Sequence, residues 1–459
     1  SKRELLQSLI GPPGGESHAS LACIDEVYMN GLSQFAYASE RPNEARDLPK
    51  GEETFGGIDS VIVQGDPGQL PAIGEDYALF ERPPAASATP AELLGCVIYR
   101  QFDHAVKLDV SMRQKDKAHR ERLARLHDGE VRPEDAAHYN SRALANLPPK
   151  QRAIFNGSDP SERVVAIVSN YEQAAEVQDA EQRRLGAPVA VLNQTGKGKT
   201  GRAAAMCCQV PLVSSLCAGE QIMLSKSPQG GRLVRDGLFN GCVGTVVAHM
   251  YQKGSGPPGK PTAILCDFPS YTGPSLLEGW PSTWVPIVEE DGLPELDGST
   301  RRGFGIVSGR AIVGHKTQGM TIGEGEPFTK AVFYLEDDVS VEAKNCGYTY
   351  VLLTRPKEDE DWALNKPVVE RRFTYINGQE ALVGRRAETA RLDELAQRTR
   401  GQNEHLGAVE TFVALLRWVD ELSADGRRDG GCAERLAADE LHAEAGLPGR
   451  ASCECECAA

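Results

Sequence analysis

The clearest apolar runs in this chain are short and end in polar or turn residues. Leu21-Ala22-Cys23-Ile24 stops at the acids Asp25-Glu26, and Ser60-Val61-Ile62-Val63 stops at Gln64-Gly65-Asp66. Both predict buried parallel strands whose C-terminal ends present polar side chains, the edge where open α/β sheets bind ligands. Val164-Val165-Ala166-Ile167-Val168 predicts a third strand, and 116–127 and 172–185 carry helical spacing. From about 208 to 300 the texture becomes short β-type runs (Gln221–Leu224, Gly244–Ala248, Ala263–Cys266) between Gly and Pro, which predicts a small β-rich module. Gly305–Val313 and Ala331–Leu335 return to the α/β texture, with Tyr350–Leu353 read as a last strand. Residues 387–447 are rich in Ala, Leu, Glu and Arg, and Phe412, Leu415, Leu416 and Val419 predict an accessory helical hairpin.

The 459 residues allow several domains and a sizeable core. Lys and Arg number 50 against 65 Asp and Glu, a net charge of −15. That excludes a protein that coats nucleic acid by bulk positive charge, but not a local basic groove. The charge is uneven: −9 over 1–110, +3 over 111–310, −4 over 311–380 and −5 over 381–459. The middle segment is therefore the first candidate for a polyanion. No run of 18 apolar residues occurs, so no transmembrane helix and no membrane partner are expected. Cys23, Cys96, Cys242, Cys266 and Cys346 sit singly in apolar stretches and read as buried thiols of a reducing, intracellular compartment. The tail Cys453-Glu454-Cys455-Glu456-Cys457 reads as a low-complexity end, with soft-metal binding as the alternative.

An acidic pair at a strand end has a definite use in nucleotide hydrolysis. One carboxylate helps hold Mg²⁺ and the next polarises the attacking water. A strand ending in Gly65-Asp66, then Pro67-Gly68 and Gln69, can place an amide near a terminal phosphate.

In sequence order these stretches resemble superfamily 1 helicases of subgroup B, specifically the Pif-type (petite integration frequency) DNA helicases related to RecD. Ala22–Met29 resembles motif II, and Gln64-Gly65-Asp66-Pro67-Gly68-Gln69-Leu70-Pro71 motif III, preceded by Thr54-Phe55-Gly56-Gly57. Val106-Lys107-Leu108 leading to Met112-Arg113-Gln114 is similar to motif IV. Ala218–Leu224 and Phe239–Gly244 resemble the stretch around the family's small β-barrel insert. Ala311–Thr321 resembles motif V and Tyr350–Arg355 motif VI. The order and spacing agree from about residue 20 to 357.

The resemblance implies an α/β fold of two RecA-like P-loop NTPase domains, the first incomplete, with an SH3-like β-barrel insert and a helical C-terminal extension. The expected divisions are 1–107 (first domain), 108–205 and 302–375 (second domain), 206–301 (insert) and 376–459 (extension and tail). It implies ATP and Mg²⁺ as ligands, with Asp25 on the metal and Glu26 activating water. Gln69 would couple the γ-phosphate to the nucleic-acid site, and Arg113 and Arg355 would reach that phosphate from the second domain. Gly65, Asp66 and Gly319 complete the nucleotide set. His315, Lys316, Thr317, Gln318 and Thr321 would contact single-stranded DNA. The implied activity is ATP-driven 5′ to 3′ translocation on single-stranded DNA, with unwinding at duplex junctions, in the nucleus rather than the mitochondrion. Phe239, Tyr271 and Trp284 are candidate base stackers.

The chain also departs from that pattern. Only 24 residues precede Asp25, and they hold Gly11-Pro12-Pro13-Gly14-Gly15 but no G-x-x-x-x-G-K-[ST] loop, which is expected in upstream sequence. Gly196-Lys197-Gly198-Lys199-Thr200 fails that pattern, because Asn193 stands where its first glycine belongs; it reads as a basic loop. Residues 30–53 look irregular where the family carries a helix, Tyr28 replaces a usual Ser, and Leu352-Leu353-Thr354 replaces Ala-Leu-Ser. Two alternatives follow: an ATPase-inactive remnant that only binds nucleic acid or acts as a scaffold, and the helicase part of a RecD- or relaxase-like or mobile-element protein.

Overall fold

The computed structural model describes residues 10–11 and 19–403, except 50, 52, 73, 158, 160, 198–205, 208–209, 212, 257–258, 277 and 293–299. The Phe412–Val419 pattern and the Cys453–Cys457 tail lie outside the described residues.

The first unit pairs β1 (Leu21–Ile24) with β2 (Ser60–Val63) in parallel, Ile24 opposite Val63. The parallel pairing agrees with the sequence reading, but burial does not. Cys23 is exposed and its strand neighbours are only half-buried, because β1 and β2 have no third strand beside them among the described residues. The segment read as irregular is instead a helix, α1 (Leu32–Ala45). Leu32, Phe35, Ala36, Ser39 and Asn43 share its buried face, and Pro42, which cannot donate to the Ala38 carbonyl, falls in the last turn, three residues before the helix ends. Phe35 packs edge-on against Phe55 and Tyr99, the latter on α2 (Pro90–Arg100), which starts with a Thr89–Glu92 capping box and Pro90.

The second unit begins with α3 (Lys117–Asp128), capped by Asp116 and ended by Gly129 in the left-handed conformation. β3 (Val164–Val168) is buried throughout and feeds α4 (Tyr171–Leu185). The insert follows. β4 (Val189–Asn193) pairs with β5 (Val213–Cys217), and β6 (Gln221–Leu224), β7 (Val243–Met250), β8 (Ala263–Asp267) and β9 (Trp284–Val288) form an antiparallel sheet with β10 (Ile306–Ser308). Ala190, Leu192 and Ile306 lie in the same apolar core as this sheet, so that core draws on residues beyond 206–301 on both sides. Of the stretch Gly196–Thr200 expected as a loop, Gly196 and Lys197 belong to a short strand, Thr195–Lys197, paired with Thr300–Arg302.

The chain then returns to the parallel sheet. β11 (Ala311–Val313), β3, β12 (Lys330–Phe333) and β13 (Trp362–Leu364) lie in that order. Tyr350–Leu353 is not a strand but part of a helix, α5 (Tyr348–Leu353), started by Gly347 at φ +95°. A short apolar run buried all round has no periodicity to separate strand from helix. Finally α6 (Ala381–Asn403) spans about 35 Å. Its Leu382 sits in the second unit's core, whereas Glu388 accepts from Tyr99 of the first. No helix among the described residues is long and apolar enough to cross a membrane.

Candidate functional site

The two units face each other across a polar seam, and most of the sequence-predicted residues line it. Asp25 is exposed at the end of β1 and accepts the Glu26 N–H at 2.7 Å. Glu26 adopts φ +49°, a conformation that an L-residue holds only against strain, and such strain gathers at functional sites. It starts the tight turn Val27–Met29, whose first N–H bonds to Gln64 O at 2.8 Å. The acidic pair and the Gly65–Gln69 turn are thus tied through the backbone. Gly65 matters here by closeness: a Cβ would stand 3.0 Å from the Tyr28 ring.

From the other unit come two guanidiniums. Arg355 is 2% exposed and donates to Val351 O, the Thr354 hydroxyl and Met320 O. Burial, and then the Arg113 charge, push its pKa down to about 10, with Glu26 opposing the shift. Arg113 donates to Thr354 O at 3.0 Å, and burial lowers its pKa too, against the charges of Glu326 and Glu26. Two cations held this close, each with its charge disfavoured by burial, make a site that would gain from an added polyanion. Gln318 Nε2 lies 3.5 Å from Glu26 Oε2, the outer limit of a hydrogen bond, and so links the motif V stretch to the acidic pair.

The Gly65–Gln69 turn is gripped from the second unit. Asp66 takes the Tyr350 hydroxyl at 2.9 Å, the Gly68 N–H at 2.7 Å and His127 Nε2 at 3.3 Å. Burial alone would raise the Asp66 pKa, but His127 and these donors hold it below its ordinary value; the His127 pKa is raised in turn by Asp66 and Asp128 against its own burial. Gly68 has to be glycine, since a Cβ would overlap the His127 ring. Asp66, expected among the nucleotide residues, takes part in the interdomain grip in this structure. Gln69 Oε1 is buried without a hydrogen-bond partner.

The predicted nucleic-acid residues sit on the turn Gly314–Thr317 and just after it. Lys316 is exposed as a residue, though nearby protein desolvates its ammonium and lowers its pKa. His315 is half-buried against Tyr348, ring centroids 5.7 Å apart. Thr317 is the exception. It is fully buried and its hydroxyl bonds Gly314 O at 2.6 Å, so it shapes the turn and does not face a strand. Gly319 is exposed at φ +78°, and Thr321 is half-buried. Of the candidate stackers Phe239 is exposed, Trp284 half-buried and Tyr271 in the insert core. No group of three His, Cys, Asp or Glu side chains is placed to hold a metal among the described residues.

Sequence reasoning missed His127, the role of Tyr350, and Arg385. Tyr350 lay inside a recognised stretch and could have been found; the other two carry no local signal.

No protein-family model and no curated relative matches the sequence. Solved structures do. The chain is similar to the Pif1 helicase from Candida albicans at 18% identity, over 80% of this chain and 76% of that one, with a TM-score of 0.54. It is similar to Bacteroides Pif1 bound to ssDNA at 17% identity, over 85% and 78%, with a TM-score of 0.56. The Bacteroides helicase in complex with ADP-AlF3 and ssDNA gives 17%, 85% and 77%, with a TM-score of 0.54. The chain therefore has the two-domain RecA-like fold of Pif1 helicases.

Proposed function

We propose that this chain carries the motor of an ATP-dependent DNA helicase that moves 5′ to 3′ on single-stranded DNA and unwinds at duplex junctions. The observation that carries the reading is the seam itself: Glu26 on one RecA-like unit faces Arg113, Arg355 and Gln318 on the other. The fold neighbours support it, one being a Pif1 complex with ADP-AlF3 and ssDNA.

The donor set fits a nucleotide with Mg²⁺. Asp25 offers an exposed carboxylate to the metal, which when bound neutralises charge on the phosphates. Glu26, strained and partly exposed, is the base that orients water. Arg355, buried and fixed by three acceptors, is preorganised to stabilise charge on a transferring phosphoryl group, an effect worth ~10³–10⁵ in rate in other NTPases. Gln69 senses the phosphate through its Nε2–H donors, while its unpartnered Oε1 can accept a hydrogen from the attacking water. Closing the seam on nucleotide and opening it after hydrolysis would move the Lys316 face by a step along the strand.

The phosphate-cradling loop is proposed to come from upstream sequence. Two features support a further strand in the first unit: the exposed Cys23 of β1, and the stretch Val106, Leu108, Val110 and Met112. These four alternate with polar residues along a segment that pairs with no strand among the described residues, and are 50% to 85% exposed. Alternation of this kind is that of a strand awaiting a sheet.

The test is hydrolysis by the full-length protein. Single-stranded DNA should stimulate ATP turnover, and Glu26→Gln should abolish it while sparing DNA binding. Turnover unchanged in Glu26→Gln refutes the assignment of the base. DNA binding without any wild-type turnover favours the binding-only alternative. A 5′-tailed duplex unwound in preference to a 3′-tailed one checks the direction.

A further inference from the structure

We propose that Arg385 of α6, outside every motif recognised in the sequence, is a positioning residue of the nucleotide seam, which it serves by fixing the Gly68–Gln69 turn against the second unit. The inference rests on the helicase reading above and adds a residue to it.

Arg385 is 6% exposed, and its guanidinium is spent on main-chain carbonyls. Nη1 donates to Gly68 O at 3.1 Å and Nη2 to Gln69 O at 2.9 Å, while Nη2 also bonds Cys346 O on the other unit. Burying a guanidinium on carbonyls is a poor way to gain stability, since desolvation offsets most of the attraction. It is a good way to fix geometry, because the planar fork sets three acceptors relative to one another. The two backbones are in direct apposition here. Gly347, at φ +95°, precedes α5, and a Cβ on it would overlap Gly68 O and lie 3.0 Å from the Arg385 guanidinium.

The helix around Arg385 is anchored on both sides. Leu382, nearly one turn earlier, is in the second unit's core; Glu388, nearly one turn later, is in the first unit's tyrosine cluster. Asp393 meets Lys107 at 2.6 Å, and the Thr399 hydroxyl takes the Ala105 N–H at 3.1 Å. The Gly65–Gln69 turn is therefore gripped through Asp66 by His127 and Tyr350, and through its carbonyls by Arg385. The Gln69 carboxamide has a buried, unpartnered Oε1 and so takes its place from this backbone grip. Loss of the clamp should leave nucleotide binding intact and misplace the sensing amide.

The experiment uses the full-length protein with Arg385→Gln and Arg385→Lys, and with Arg386→Gln as control, whose partner is the Asp128 carbonyl. Arg385→Gln should lower kcat for DNA-stimulated ATP hydrolysis by about 10²-fold, the scale of a 1 Å misplacement, with KM for ATP nearly unchanged. Arg385→Lys should recover part of it, and Arg386→Gln should behave as wild type. Hydrogen exchange gives a readout independent of turnover. Amides of 64–72 should exchange roughly tenfold faster in Arg385→Gln, while those of 164–168 stay protected. Unchanged exchange at 64–72, or a rise in KM with kcat intact, overturns the proposal. A wild type without DNA-stimulated hydrolysis overturns the helicase reading instead, and the exchange result then decides the clamp by itself.

Discussion

Glu388 is the place where α6 holds the first unit, and its removal gives the sharpest stability prediction. The side chain is 1% exposed. It accepts the Tyr99 hydroxyl at 2.6 Å and the Tyr28 hydroxyl at 3.4 Å, and takes Arg391 in a two-point bond at 2.7 and 2.9 Å. Arg100 lies 3.9 Å away, and the Arg391 guanidinium also stacks over the Tyr99 ring at 5.1 Å. Burial opposes a charge here, yet Arg391 and Tyr99 hold the Glu388 pKa below its ordinary value, so the group is ionised at neutral pH. Glu388→Ala leaves the Arg391 guanidinium without its carboxylate and one buried hydroxyl without its acceptor, since the Tyr28 and Tyr99 hydroxyls still bond each other at 2.9 Å. Breaking a buried pair from one side costs about 3–5 kcal/mol. Glu388→Gln keeps an acceptor for Tyr99 and loses the charge, for about 1–3 kcal/mol, the range of a hydrogen bond to a charged group. A multidomain chain need not unfold in two states, so the assay is native-state hydrogen exchange on peptides covering 27–37 and 92–100. Glu388→Ala should raise their exchange roughly 10²- to 10⁴-fold, the equivalent of that energy. An increase below about tenfold would refute the reasoning, and would mean that α6 is not what fastens the tyrosine cluster.

Arg355→Ala in the full-length protein should cut ATP turnover by ~10³-fold or more while changing nucleotide affinity far less; equal loss of both would argue against a charge-stabilising role. The Asp66–His127 grip should depend on pH. The His127 pKa is raised above its ordinary 6.5, so its contribution is full below about 6.5 and fades as pH rises through the raised value. The Asp66 pKa is lowered below 3.8, so its contribution is present above that value and is lost only as pH falls through the lowered one. Exchange at 64–72, corrected for intrinsic rates, should therefore quicken between neutral and alkaline pH, and His127→Gln should flatten that profile. Trp362→Ala, at a fully buried position in the second unit's core, should cost about 3–5 kcal/mol, read as a fall in thermal midpoint with the insert's sheet retained.

What could be read ahead of the structure was what is local. The acids follow directly on β1, the Gly-Asp turn follows directly on β2, and each element carries its own apolar run. The errors have physical causes of the same kind. Val351–Leu353 are buried on every side and Tyr350 is half-buried, which erases the difference between strand and helix. Residues 30–53 look irregular because they are polar and contain proline, yet Pro42 lies inside α1, in its last turn. Cys23 was read as buried because its run is apolar, but burial of a strand is conferred by neighbours, and β1 has one neighbour among the described residues.

The grip on the motif III turn could not be read that way, and the reason is distance along the chain. Tyr350 reaches Asp66 across 284 positions and Arg385 reaches Gly68 across 317. Nothing in either neighbourhood announces the other. The glycines give the one indirect clue: Gly68 and Gly347 are the points where a side chain would block the approach of His127 and of Gly68 itself. On the motor reading proposed above, the distance between the two units changes, so contacts that cross the seam are the ones that hydrolysis would break and remake. Residues that act only there are invisible to local pattern. They become legible once the geometry shows that a charged side chain, buried at some cost, is bonded to backbone carbonyls of both units.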